Sequence, residues 1–379
     1  MASIQKRNGK WSIRLSYKST DGKYKTRRKS FSTKSAAQTY LRRLENAKAS
    51  GVDLSKDYQT LGEYFKDWFE TYREPNITSV TANRYKVTMN DIDNYFKDRL
   101  IGDIDRRQYQ QFINTYGKKH ARGTVRKTNS LIRAAVRNAV YESIIPRDFT
   151  KDIILTFDKS RDWKVEYLNM EEIKQLTQYL ISGLNTRYTS RYMILTALFT
   201  GARLGEIMAL TWKDINFNFK TISITKAWNY QEGGGFKPTK NDHSIRTIRV
   251  NQQLLDILKP LKKANPNTEQ LVFYTHNGQI PSSSAVNKKL RECLQDLDIH
   301  RTGFHFHSLR HSHVAFLLAN NVDLYVISKR LGHSDIGTTS RIYAYLIDEY
   351  KARYDDKIDA SLDELMNNNT DTNELKKSI

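Results

Sequence analysis

His307-Ser308-Leu309-Arg310-His311, then Leu331-Gly332-His333, then Thr338-Thr339-Ser340-Arg341-Ile342-Tyr343, form the most informative part of the chain. A second arginine stands well upstream, in Thr200-Gly201-Ala202-Arg203-Leu204-Gly205-Glu206. These residue types suit one task. Two guanidinium forks hold a phosphodiester, imidazoles handle hydrogen bonds and protons, and a phenol attacks phosphorus. His307 and Arg310 are three residues apart, so on a helix they share a face and reach one phosphate. Arg203 follows an apolar helical run that gives way at Gly201, a route to the second guanidinium. Lys240, in Lys237-Pro238-Thr239-Lys240-Asn241, lies between two strand-like segments. A lysine borne on such a hairpin can enter a minor groove and protonate a leaving oxygen. His333 ends a helix, where a donor can support the phosphate.

Outward from this set, three units are legible, and the expected fold is multidomain: mainly α with small β-sheets. Residues 1–50 read as a three-stranded sheet plus a helix. Asn8-Gly9 is a two-residue hairpin turn. Trp11, Ile13, Leu15 and Tyr17 then alternate onto one face. From Thr60 to about Ser143 the pattern is helical. Leu61, Tyr64, Phe65, Trp68, Phe69 and Tyr72 mark a first amphipathic helix. Thr78 or Ser79 starts a second, Asp105 caps a third, and a fourth spans roughly 124–142. Lys118, Lys119, Arg122, Arg126, Lys127, Arg133 and Arg137 crowd its start and outer side. Pro146 and residues 149–164 read as a linker. The third, mixed α/β unit starts near Val165, where Asn169 and Glu172 make a capping-box-like start. Residues 192–210 are strongly apolar, 220–226 and 244–250 alternate as strands, and helices are expected at 284–297, 308–319, 323–331 and from Thr338 onward. After Tyr343, Ile347, Tyr350, Tyr354, Ile358, Leu362 and Leu365 leave an interrupted apolar stripe.

Composition narrows the partners. The formal net charge is +21 over 379 residues, which attracts polyanions. Residues 1–50 hold 14 Lys/Arg against 2 Asp/Glu, a net of +12, whereas residues 355–379 hold 3 against 7, a net of −4. No apolar run reaches the roughly 18 residues of a spanning helix, so no membrane role is expected. The first residues lead into no signal core, and Cys293 is the single cysteine, which fits a reducing, cytoplasmic setting. His305, His307, His311 and His313 lie close together, but no carboxylate or thiol completes a zinc spacing, and no phosphate-binding Gly-x-x-x-x-Gly-Lys element appears. Neither a metal nor a cofactor is expected. His305, His311 and His313 are assigned structural roles, and Glu206 is read as packing or as orienting Arg203.

The ordered set Arg203, Lys240, His307, Arg310, His333 and Tyr343 resembles the signature of the tyrosine recombinases, or phage integrases. The likeness extends over most of the chain and is typical of integrases from temperate phages and integrative conjugative elements. It implies an arm-type DNA-binding domain at 1–50, a helical core-binding domain at 58–146 and a catalytic domain with a tail at 165–379. It implies that Tyr343 forms a 3′-phosphotyrosyl bond, that Arg203 and Arg310 stabilise the phosphorane, that Lys240 protonates the leaving oxygen, that His307 relays the tyrosine proton and that His333 adds a hydrogen bond. It further implies double-stranded DNA with core and arm sites, a homotetramer on DNA, an excision factor and a host DNA-bending protein. One departure is visible: Tyr343-Ala344-Tyr345 stands where members often carry Tyr-x-His, which makes Tyr345 a rival phenol. A type IB topoisomerase and a silent DNA-binding regulator are the competing functions.

Overall fold

The computed structural model describes residues 3–7, 9–18, 24–31, 33–35, 37–38, 40–42, 59–162, 165–239, 242–264, 271–337, 339–344 and 358–365. The chain divides into two compact units at 163/164. It is mostly helical with small antiparallel sheets.

The amino-terminal sheet runs β1 (Ser3–Arg7), β2 (Lys10–Lys18), β3 (Tyr24–Phe31), in that order and antiparallel. Arg7 pairs with Lys10, and Gly9 between them has φ 74°; Asn8 lies outside the described residues. Ile13 and Ala37 are fully buried, and Ile4, Trp11, Phe31, Tyr40 and Leu41 pack around them. Leu15 and Tyr17 lie outside the residues whose side chains are described.

The helical bundle follows as α1 (Leu61–Tyr72), α2 (Ser79–Phe96), α3 (Arg106–Gly117) and α4 (Arg122–Tyr141). Thr60 with Glu63, and Asp105 with Gln108, form reciprocal capping boxes, while Thr78 caps α2. Phe65, Tyr109, Phe112, Ile113, Ile132 and Val136 centre the core. Tyr72 leaves the expected stripe: at the last turn of α1 it is half exposed and donates its hydroxyl to Glu142. The stretch expected to be a linker is instead partly a strap. Phe149, Ile153, Leu155 and Phe157 pack on the bundle, and Gln110 bonds both polar groups of the Ile154 backbone. Lys118, Lys119, Arg122, Arg126, Lys127 and Arg137 are exposed; Arg133 is half-buried.

In the carboxy-terminal unit α5 (Met170–Ser182) starts at the Asn169–Glu172 capping box. α6 (Ser190–Thr200) is apolar on nearly every face and sits in the middle of the core. α7 (Leu204–Met208) follows a two-residue turn after Gly201. β4 (Ile215–Asn216), β5 (Thr221–Ile224) and β8 (Arg246–Arg249) make one antiparallel sheet, with Ile222 opposite Ile248. β6 (Lys226–Trp228) and β7 (Phe236–Pro238) form a separate hairpin around the glycines 233–235. Further helices are α8 (Gln252–Ala264), α9 (Ser283–Asp296), α10 (Phe306–Ala319) and α11 (Leu324–Leu331). The sequence reading placed no helix over α8, whose pattern Pro260 interrupts; Leu254, Leu255, Leu258 and Leu261 are nonetheless buried. Residues 336–344 are helical where described, as are 358–365, where Ile358, Leu362 and Leu365 are exposed. Ile347, Tyr350 and Tyr354 lie outside the described residues. Among the described residues no helix is long and apolar enough to cross a membrane.

Candidate active site

The site begins where α6 stops. Gly201 closes that helix at φ 65°, and a Cβ there would lie 2.8 Å from the His313 ring and 2.9 Å from Leu331. Only glycine fits such a conformation at such closeness. The turn delivers Arg203 to the N-cap of α7, where its backbone N–H donates to Glu206 at 2.9 Å and its guanidinium at 2.7 Å. Glu206 is almost wholly buried, and Arg246 donates to both of its oxygens, at 2.8 Å and 3.3 Å. Burial alone would raise the carboxyl's pKa, but the Arg246 and then the Arg203 charge overcome it and hold it down at about 2. Arg246 also donates to the carbonyls of Arg330 and Ser244, both at 2.8 Å, which ties the start of β8 to the end of α11.

Arg310 lies one turn into α10 and is 2% exposed. Its fork donates to the carbonyls of Gly201 and Leu331, each at 2.7 Å, and to Nε2 of His333 at 3.0 Å. The two helix ends, α6 and α11, are thus stitched by one guanidinium. A guanidinium only donates, so His333 Nε2 accepts, and its proton sits on Nδ1, 2.7 Å from the Thr339 hydroxyl. Burial, then Arg310, lowers the His333 pKa to about 4, in keeping with a neutral ring. Burial, then the Arg203 and Arg246 charges, bring Arg310 down to about 9, still protonated at neutral pH. His333 was expected to support the phosphate; here both its nitrogens serve the protein, and it orients Arg310.

His307 occupies the first turn of α10, with its ring exposed. Burial, then the Arg310 charge, lower its pKa to about 4. The helix N-terminus adds a partial positive charge at the same place. Tyr343 is 1% exposed, its ring among Val314, Ala315, Leu318, Ile327 and Leu331. Its hydroxyl lies 2.8 Å from Nδ1 of His311, not against His307. Burial raises the phenol's pKa, against the pull of Arg310 and Arg203, whose charges both reach it.

Five of the six sequence-predicted residues are therefore drawn to one end of the unit: Arg203, His307, Arg310, His333 and Tyr343. Lys240 lies outside the described residues, as does Tyr345. Lys237 at the end of the β6–β7 hairpin donates to Asn229 at 3.2 Å. Sequence reasoning passed over Arg246 and His311. Arg246 carried no motif signal, and His311 was set aside although it adjoins Arg310. His313, also set aside, is structural: Arg330 donates to its Nε2 at 3.0 Å, and its Nδ1 donates to the Leu198 carbonyl at 2.8 Å. Among the described residues no three His, Cys, Asp or Glu groups gather as metal ligands would.

Comparison with known proteins gives the chain's family. The phage integrase family profile matches residues 166–349, the phage integrase N-terminal SAM-like domain 60–116 and the arm DNA-binding domain 3–48. The chain belongs to the phage integrase family. As a tyrosine recombinase of that family it is an enzyme that cleaves and rejoins DNA in site-specific recombination. The integrase of Staphylococcus phage L54a is 26% identical over 321 residues, 77% of this chain and 90% of its own. The ICEBs1 integrase of Bacillus subtilis strain 168 is 28% identical over 338 residues, 84% of this chain and 87% of its own. The Tn1549 transposon integrase, solved with a circular intermediate DNA, shares the fold with a TM-score of 0.64 at 16% identity, over 75% of this chain and 95% of that one.

Proposed function

We propose that this integrase inserts and excises a mobile element by a 3′-phosphotyrosyl route, with Tyr343 as nucleophile. The observation that carries this reading is Arg310: one buried guanidinium contacts the Arg203 turn and His333, and its charge reaches the Tyr343 phenol. Tyr343 attacks the scissile phosphorus and releases a 5′ hydroxyl. Arg203 and Arg310 stabilise the charge that grows on the phosphoryl oxygens. His333 keeps Arg310 in place, and His307, at the exposed mouth, hydrogen-bonds the phosphate. Lys240 protonates the leaving oxygen. The covalent link conserves the phosphodiester's energy, so strand exchange proceeds without a cofactor.

The remaining assignments follow from the same chemistry. Recombining two duplexes breaks four strands, which suits a homotetramer on DNA. The exposed cations of α4 and its preceding turn contact phosphates of the core site. The strongly basic first fifty residues hold a separate arm site, an arrangement that suits a host DNA-bending protein and an excision factor. The working compartment is the bacterial cytoplasm.

A nicked duplex carrying the junction of the circularised element tests the proposal. The wild-type chain should become covalently attached to it, and Tyr343→Phe should give no adduct. An adduct that persists in Tyr343→Phe would move the role to Tyr345. No adduct from wild type would remove the function.

A further inference from the structure

The Tyr343 phenol is not left to solvent or to His307. Its ring is packed into an apolar cluster, and its one polar atom meets Nδ1 of His311 at 2.8 Å. His311 is itself 3% exposed. It follows Arg310 directly on α10, so the residue that holds the phosphate and the residue that holds the nucleophile are successive positions on one rigid helix. The His307 ring stands 5.1 Å from that of His311, edge to face, and it is His311 whose nitrogen meets the phenol.

With both groups neutral, a phenol is the stronger donor and an imidazole nitrogen the stronger acceptor. The hydroxyl therefore donates to Nδ1. We propose, resting on the recombinase reading above, that His311 receives the phenolic proton of Tyr343 as its oxygen attacks phosphorus. The step balances. The O–H bond of Tyr343 breaks and an N–H bond forms on His311. The phenolic oxygen bonds to phosphorus, the bond from phosphorus to the 5′ oxygen breaks, and that oxygen takes a proton from Lys240. Rejoining runs the same transfers backwards, so His311 returns the proton to the departing phenolate.

The resting electrostatics fit this role. Burial, then the His307 and Arg310 charges, hold the His311 pKa down at about 3, so it waits unprotonated. A bound phosphodiester sets a negative charge beside Arg310 and Arg203. That offsets the repulsion and raises the imidazole's affinity for a proton at the moment the proton is released. His307 then serves the phosphate, and the two histidines of His307-Ser308-Leu309-Arg310-His311 divide the work.

The test compares two phenols at position 343 in the full-length chain: tyrosine, and a fluorinated tyrosine whose phenol ionises near neutral pH. The readout is single-turnover adduct formation on the nicked junction duplex at saturating DNA. General-base losses run to about 10²–10⁴-fold. His311→Phe should slow attack by ~100-fold or more with tyrosine, and the deficit should shrink at least tenfold with the acidified phenol. Lys240→Ala, acting on the leaving side, should show the same deficit with both. If His311→Phe folds poorly, as judged by melting and by DNA affinity, His311→Gln is read the same way. An equal deficit with both phenols would make His311 a packing residue, and no deficit would remove it from the reaction; either overturns the proposal. Absence of any adduct from wild type with both phenols instead sinks the recombinase reading beneath it.

Discussion

In the helical bundle the buried phenols of Tyr64, Tyr109 and Tyr116 each bond a neutral side chain, Asn138 at 3.1 Å, Asn129 at 2.9 Å and Thr128 at 3.2 Å, with the carboxylates Glu142 and Asp91 beside Tyr64 and Tyr116. At the active end of the catalytic unit buried charged and chargeable groups stand beside neutral ones such as Thr200, Ser308 and Thr339. Arg203, Arg246 and Arg310 surround the single carboxylate of Glu206, with His311, His313 and His333 packed close by. Each of the three bundle phenols has a hydrogen-bond partner within the fold, although Arg84 Nε, Asp91 Oδ2 and Arg133 Nε are buried without one. In the catalytic cluster Arg203 and Arg246 bond Glu206 while Arg310 bonds two carbonyls and His333, so among the described residues three guanidinium groups share one nearby carboxylate, an excess of two positive charges. A buried excess of charge costs stability, and it persists where an anion completes it. The contrast separates a unit built to be a scaffold from one built to wait for a phosphate.

Acid should separate the units most. The folded pKa values of His311 and His313 lie at about 3, below the 6.5 that the unfolded chain retains. Between those values the unfolded chain binds the extra proton, so stability is present above pH 6.5 and is lost as pH falls toward 3. By pH 5 each such imidazole costs about 2 kcal/mol, from ~1.4 kcal/mol per pH unit. Glu206, held at about 2, adds a further loss below its ordinary value of 4.5. In the bundle the half-buried Asp67 has its pKa raised by burial. Its cost is relieved as pH falls, the opposite sign. Urea unfolding followed by hydrogen exchange, peptide by peptide, should show the catalytic unit weakening between pH 7 and 5 while the bundle holds. Parallel weakening of both would mean the imidazoles are not kept neutral by the fold.

The charged cluster can also be broken from its centre. Glu206→Gln keeps the shape and removes the one anion, leaving Arg203 and Arg246 to repel. Removing one partner of a buried pair typically costs about 3–5 kcal/mol. The expected loss is roughly 3 kcal/mol in the catalytic unit alone, with slower adduct formation because Arg203 loses its anchor. Urea midpoints for each unit and the junction-duplex assay read both effects. An unchanged midpoint would show that water already screens the cluster.

The two regions also differed in how much could be read without coordinates. Bundle helices announce themselves: Asp105 caps as expected, and the stripe from Leu61 to Phe69 is buried as its period requires. Local order is written in local spacing. In the catalytic unit the motif residues were legible as an ordered set, but their contacts were not. His311 meets a phenol 32 residues on, and Arg246 meets a carboxylate 40 residues back. No periodicity reports a pairing of that span. Likewise, strap residues 149–157 looked like linker because their apolar side chains follow no regular period, yet an irregular segment can still fill a groove.

The bundle's own polar pairs give the mildest perturbation, and the one that best isolates the scaffold. Tyr109 is wholly buried and donates to Asn129 across α3 and α4. Tyr109→Phe removes that bond and strands the amide oxygen, at a cost of about 1 kcal/mol. The ring stays, so its packing against Phe112 and Phe149 is kept. The bundle's urea midpoint should fall by that amount. Adduct formation at saturating DNA should not change, since nothing in the Arg203–Arg310–Tyr343 cluster depends on this hydroxyl. A matching fall in the cleavage rate would mean that the scaffold and the chemistry are energetically joined, and the division drawn between neutral and charged burial would no longer separate stability from function.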